Sequence, residues 1–221
     1  MTDLTDAIKT LRNSQGMLEP VLLSFENRLA QFGIDPRSAF WKNEEWQIRR
    51  YQILSRLFEK PDRHGGTIIT DYGCGYGAFF EFLKDRPVMT GSRYIGIDIS
   101  KAMLEEAQSH TNDRRATFQR HLIATEETDY TFACGTYNMN LGTDGKEWAD
   151  YVKASLLQLW SKTRRGLGFN MLRTDAPDKF PGLYYADSDE FLEFCRDTLS
   201  PDVTFSEDQP LPDWTIFIRR R

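Results

Sequence analysis

The residues best placed to do chemistry lie in "TIITDYGCGYGAFFEFL", residues 67–83. An apolar run ends at Asp71, and Gly73, Gly75 and Gly77 then alternate with other residues before an apolar helical pattern resumes. Glycine lets a backbone bend sharply and lets a ligand approach where a Cβ would clash, and the following helix offers free N–H groups. A pyrophosphate cradle needs G-x-G-x-x-G, but Phe79 and Phe80 stand near the place of the third glycine, and no lysine follows in P-loop position. A second acid, Asp98, closes "YIGIDIS". A carboxylate at the end of the second strand accepts hydrogen bonds from ribose hydroxyls. The same carboxylate would serve NAD, so these residues point to a nucleoside-bearing ligand and Asp98 alone does not say which.

Such a site requires strands that end together. After residue 66 the chain alternates: "TIITDYG", "RYIGIDIS", "ATFQRHL", "YTFACG" and "GLGFNML" read as strands. "AFFEFLKD", "SKAMLEEAQSH", "KEWADYVKASLLQLWSKT" and "SDEFLEFCRDTL" read as helices, with caps at Ser100 and Ser188. "VTFSED" and "WTIFIRR" close the chain as an antiparallel pair. This rhythm predicts an α/β, Rossmann-like, doubly wound sheet covered on both faces. Upstream, apolar spacing predicts a helix over residues 4–32, interrupted at Gly16 and Pro20, and a second helix over 43–60. The expected division is a helical cap over residues 1–62 and a core over 63–221.

The composition narrows the function classes. The 221 residues carry a formal charge of −5, which argues against a uniformly basic nucleic-acid surface. No apolar run is long enough for a bilayer, and no secretory leader pattern opens the chain. Cys74, Cys134 and Cys195 are widely spaced and odd in number, which points to reduced thiols and a cytoplasmic setting. No metal-ligand spacing occurs.

The segment "DYGCGYG" resembles the D/E-x-G-x-G-x-G signature of class I S-adenosylmethionine-dependent methyltransferases. "QIRRYQIL", "CGTYNMN", "GLGFNML" and "GLYYADSDEFLEFC" are similar to segments of a smaller bacterial group within that superfamily, so the likeness spans about residues 40–220. The resemblance implies a seven-stranded sheet of order 3-2-1-4-5-7-6, S-adenosylmethionine as cofactor, and methyl transfer to a small-molecule acceptor. It implies Asp71 near the methionine ammonium, with Gly73, Cys74, Gly75 and Gly77 around methionine and ribose. It puts Asp98 on the ribose and Ile99 and Met103 beside the adenine. Many relatives carry an acid after the third strand; here "QRHLIA" leaves that contact to His121 or the backbone near Leu122. Cys134 and Gly135 are expected at the donor, and Arg50 is expected at the donor carboxylate or as an organiser of the pocket, with a pairing to one of the chain's many acids as the alternative. Tyr137, Asn138, Asn170, Tyr184 and Tyr185 are the candidates for the acceptor, each with a packing alternative. No catalytic base is assigned. Three other readings stay open: a nucleotide-dependent oxidoreductase, a non-catalytic donor-binding partner, and an RNA methyltransferase using the arginines of the helix and the tail (Arg219, Arg220, Arg221).

Overall fold

The structure is a computed structural model that describes residues 3–220; Arg221, counted above in the basic tail, lies outside them. Two helices open the chain, α1 (Leu4–Asn13) and α2 (Gln15–Phe32), followed by a 3₁₀ turn at Pro36–Ala39 and α3 (Glu44–Leu54). The core runs β1 (Ile68–Tyr72), α4 (Ala78–Leu83), β2 (Arg93–Asp98), α5 (Lys101–His110), β3 (Ala116–Arg120), β4 (Thr128–Cys134), α6 (Gly145–Ser161) and β5 (Thr163–Arg173). It ends with β6 (Tyr185–Ala186), α7 (Ser188–Phe194), β7 (Val203–Glu207) and β8 (Asp213–Arg219).

The sheet order is β3-β2-β1-β4-β5-β8-β7, with the two-residue β6 paired to the end of β5. Without β6 the long strands follow the expected order 3-2-1-4-5-7-6. β1 to β5 are parallel, and β8 is antiparallel to both β5 and β7. The parallel run places the carboxyl ends of β1, β2 and β4 side by side, where open α/β sheets bind ligands.

Each sheet face is closed by aromatic packing. One face buries Tyr72, Ile97, Phe169 and Trp214 against α6 and α7. The other buries Ile69, Tyr94, Tyr130 and Phe132 against α3 and α4. Ala7, Leu11, Leu18 and Val21 of the N-terminal helices belong to the first of these clusters, so they share the core of the sheet.

Two local expectations are corrected. The N-terminal helix breaks at Ser14, whose N–H and hydroxyl both turn back to the Thr10 carbonyl. Gly16 and Pro20 instead lie inside α2; proline removes one backbone donor there. The cap of α7 is Asp187, whose carboxylate accepts from the Asp189 N–H at 2.9 Å, and Ser188 is the first helical residue. Ser100 caps α5 as expected, accepting from the Met103 N–H at 3.1 Å.

Candidate active site

The turn after β1 is stapled to β2. The N–H groups of Gly73 and Cys74 both donate to the Ile97 carbonyl, at 2.7 and 3.1 Å. Gly73, Gly75 and Gly77 have φ of +75°, +53° and +85°, in the left-handed region that side chains other than glycine's resist. Their surroundings differ. A Cβ on Gly73 would stand 2.5 Å from the Thr136 side chain, whereas one on Gly75 would meet nothing closer than Met103 sulfur at 4.0 Å. Gly77 caps α4 and packs against the Phe118 ring, outside the cavity that its two neighbours line.

Asp98 closes this corner. One carboxylate oxygen accepts from the Gly75 N–H and the other from the Ser100 N–H, both at 2.8 Å. Each oxygen keeps a lone pair, and Asp98 lines the cavity. Burial raises its carboxyl, while the bonds from Ser100 and Gly75 pull it back down. Asp71 lies deeper and accepts from the Tyr94 hydroxyl. Burial pushes its carboxyl up to about 7; the Tyr94 bond opposes this, and the neighbouring Asp98 adds to it. The Ser100 hydroxyl donates to Glu26 at 3.0 Å, which ties α2 to the rim.

Ile99, Met103 and His121 line the cavity beyond Asp98. The Leu122 side chain borders a neighbouring groove instead, and its carbonyl accepts from the Tyr72 hydroxyl at 2.9 Å. Cys74 and Cys134 also line the cavity, and burial raises both thiols and keeps them neutral. Gly135 follows, with φ of +68°; a Cβ there would come within 2.4 Å of the Trp41 ring.

A buried polar chain runs behind this wall. The Gly135 N–H donates to Asn170 Oδ1 at 2.9 Å, and Asn170 Nδ2 donates to Asp213 at 2.7 Å. Asp213 also accepts two bonds from Arg50, at 2.9 and 2.5 Å. The Arg50 guanidinium lies 4.6 Å from the Trp41 ring centre. Arg50 is therefore closed on Asp213 behind the cavity and does not line it. This is the pairing with an acid expected as the alternative to a place at the donor, and the Trp41 ring packs on the paired guanidinium.

Comparison with known proteins places this geometry. The methyltransferase domain model (Methyltransf_25) matches residues 69–156. A Mycobacterium tuberculosis protein named as a methyltransferase is 35% identical over 155 residues, covering 69% of this chain and 92% of its own. The chain belongs to the class I S-adenosylmethionine-dependent methyltransferases. A malonyl-[acyl-carrier protein] O-methyltransferase of Legionella pneumophila is 28% identical over 64% of this methyltransferase and 51% of its own length. Among solved structures, the magnesium protoporphyrin IX methyltransferase of Synechocystis with bound SAH aligns at TM-score 0.61 and 15% identity, covering 80% of this chain and 84% of that one. Human N-acetylserotonin methyltransferase with SAM aligns at TM-score 0.62 and 14% identity, covering 98% and 65%. At these identities the structural likeness shows the fold.

The residues proposed for the acceptor do not meet in the methyltransferase cavity. Tyr137 is fully buried, and its hydroxyl pairs with Ser155 at 2.8 Å. Asn138 accepts from the Leu172 N–H at 3.0 Å and its carbonyl from the Tyr184 N–H at 2.9 Å, so it ties loops together. Asn170 is the link just described. The Tyr185 hydroxyl accepts from the Phe180 N–H at 2.7 Å. Neither Tyr184 nor Tyr185 lines the cavity. Polar groups at strand ends are claimed here by the loops they support.

The residues that do complete the cavity were not assigned a role from sequence. Leu18, Val21, Leu22 and Phe25 of α2 roof it, and Trp148 and Tyr151 of α6 form a side wall. Tyr51 and Gln47 of α3 also line it, and Gln47 donates to the Tyr76 hydroxyl at 3.2 Å. The spacing 18, 22, 25 marks a helix face, but such a stripe reads equally as core packing. Only the fold reveals that it faces a cavity.

Proposed function

We propose that this methyltransferase acts on a small-molecule acceptor held in the cavity beside its cofactor. One observation carries the reading: Asp98, Gly73 and Gly75 line a cavity that is roofed by α2 and walled by aromatic side chains. A roof of this kind suits a small acceptor and leaves little room for a folded nucleic acid.

The residues present fit S-adenosylmethionine. Asp98 retains lone pairs for the two ribose hydroxyls after its backbone bonds. Gly75 leaves open the space that a Cβ would fill. Ile99, Met103 and His121 offer apolar and ring surface for the adenine, Asp71 a carboxyl for the ammonium, and Cys134 and Gly135 a narrow wall for the methionine chain. Bound there, S-adenosylmethionine supplies an electrophilic methyl group on a sulfonium. The contribution of the chain is to align an acceptor with that group and to exclude water. The neutral thiols of Cys74 and Cys134 act as packing surface, since raised thiols are poor nucleophiles. We take residues 1–62 as the cap that completes the site and 63–221 as the donor-binding core. The three free cysteines accord with a reducing, cytoplasmic setting.

Calorimetric titration with adenosylhomocysteine and with NAD tests the donor site. Saturable binding of adenosylhomocysteine and none of NAD is expected; the reverse refutes the reading. Release of adenosylhomocysteine over a panel of metabolites then tests the acceptor. Turnover on RNA alone, with a steep salt dependence, refutes the small-molecule assignment.

A further inference from the structure

The cavity lined by Asp98 and Gly75 also runs between α2 and α6. Leu18 and Val21 face it from α2, Trp148 and Tyr151 from α6, and Thr136 follows β4 at its base. Leu18, Val21, Trp148 and Tyr151 are all buried. They belong to one apolar cluster with the sheet.

Several polar atoms of this wall are engaged elsewhere. Trp148 Nε1 donates to the Tyr137 carbonyl at 2.9 Å. The Tyr72 hydroxyl donates to the Leu122 carbonyl at 2.9 Å. The Thr136 hydroxyl donates to the Tyr72 carbonyl at 2.8 Å. Trp148 therefore offers the cavity its ring alone, and Tyr151 a ring with one hydroxyl. Aromatic rings of this kind prefer offset or edge contacts with other rings.

Charge narrows the ligand further. Among the described residues no lysine or arginine lines the cavity, and its two carboxyl groups are Asp71 and Asp98. The nearest guanidinium, on Arg50, is closed on Asp213 and covered by Trp41. An anionic acceptor would lose its hydration with no cation to replace it. A polyol would leave several hydroxyls without partners.

We infer that the cleft between α2 and α6 is the acceptor subsite, and that it takes a neutral, ring-bearing or otherwise apolar molecule. This rests on the methyltransferase reading above and adds the acceptor's chemical class and place. It moves the subsite away from the Tyr184–Tyr185 loop and onto the N-terminal helices.

The test uses the full chain and three probes, 2-naphthol, 2-naphthoate and methyl glucoside, titrated at pH 7.5 into protein saturated with adenosylhomocysteine. 2-Naphthol is expected to bind at least about tenfold more tightly than either of the others. Val21→Ser is expected to weaken 2-naphthol about tenfold and to weaken adenosylhomocysteine less. Tyr151→Phe keeps the ring and removes only the hydroxyl, so recognition through the ring predicts that it binds 2-naphthol like the parent chain. Equal or tighter binding of 2-naphthoate or methyl glucoside overturns the inference. So does loss of 2-naphthol binding in Tyr151→Phe, because that would show recognition through the hydroxyl. Failure of the parent chain to bind adenosylhomocysteine removes the methyltransferase reading together with this one. Donor binding without 2-naphthol binding removes this one alone.

Discussion

Replacing Arg50 by Met tests how the cavity wall is held. The Arg50 and Asp213 side chains are 4% and 2% exposed, so neither charge is screened by water. Asp213 accepts two bonds from Arg50 and one from Asn170. In Arg50→Met the carboxylate keeps only Asn170. Breaking one side of a buried pair typically costs about 3–5 kcal/mol, because the other charge stays buried without a partner. At roughly 2–4 °C per kcal/mol for a chain of this size, the melting temperature should fall by about 10 °C. The double variant Arg50→Met/Asp213→Leu removes both charges and should recover most of that loss. Urea unfolding of the parent, the two single variants and the double variant measures the coupling directly. Adenosylhomocysteine affinity should fall in the single variants as well, since Trp41 loses the cation stacked on it at 4.6 Å. A cost below about 1 kcal/mol for Arg50→Met, or purely additive effects in the double variant, would refute the claim that this pair holds the wall.

Three further outcomes are expected. Asp98→Ala should lower adenosylhomocysteine affinity by about a hundredfold or more, from losing two charge-assisted bonds of about 1.5–3 kcal/mol each, with calorimetry as the readout. Asp71 is raised from 3.8 to about 7, so the folded chain holds a proton that the unfolded chain releases. Its contribution to stability is full below about 4 and is lost as pH rises through about 7. Asp71→Asn should therefore flatten the fall in unfolding free energy between about pH 5 and pH 8, measured in urea. Gly135→Ala combines a left-handed φ of +68° with a Cβ placed 2.4 Å from Trp41. It should destabilise the chain by about 1–3 kcal/mol and alter the near-ultraviolet dichroism of the tryptophans.

The glycine corner after β1 and the carboxylate that closes it were legible because backbone geometry forces their residue types. Positive φ at Gly73 and Gly75 and a carboxylate one strand away leave little choice of residue type, and both features stand in a short stretch of chain. The strand order was legible for a similar reason, since alternating strands and helices admit few connections. Gly77 shows the limit: it shares the motif, yet its conformation serves the start of α4 and the Phe118 contact. The candidates for the acceptor do not gather at this cavity. Tyr137, Asn138 and Asn170 carry chemistry that suits a substrate, but the same groups satisfy buried backbone and hydroxyl partners. Arg50 likewise promised a carboxylate and found one in Asp213, 163 residues away. Conversely, Val21 and Trp148 look like ordinary core residues, and only tertiary packing turns them toward the cavity.

The stretch matched by the family model, residues 69–156, supplies the glycine corner, Asp98 and the α6 wall of the cavity, while residues 18–25 and Trp41 enter it from outside that stretch. The cavity is thus closed only where the leading helices pack on the family domain. Exchanging those helices between relatives should reshape the cavity while the glycine corner and Asp98 stay in place.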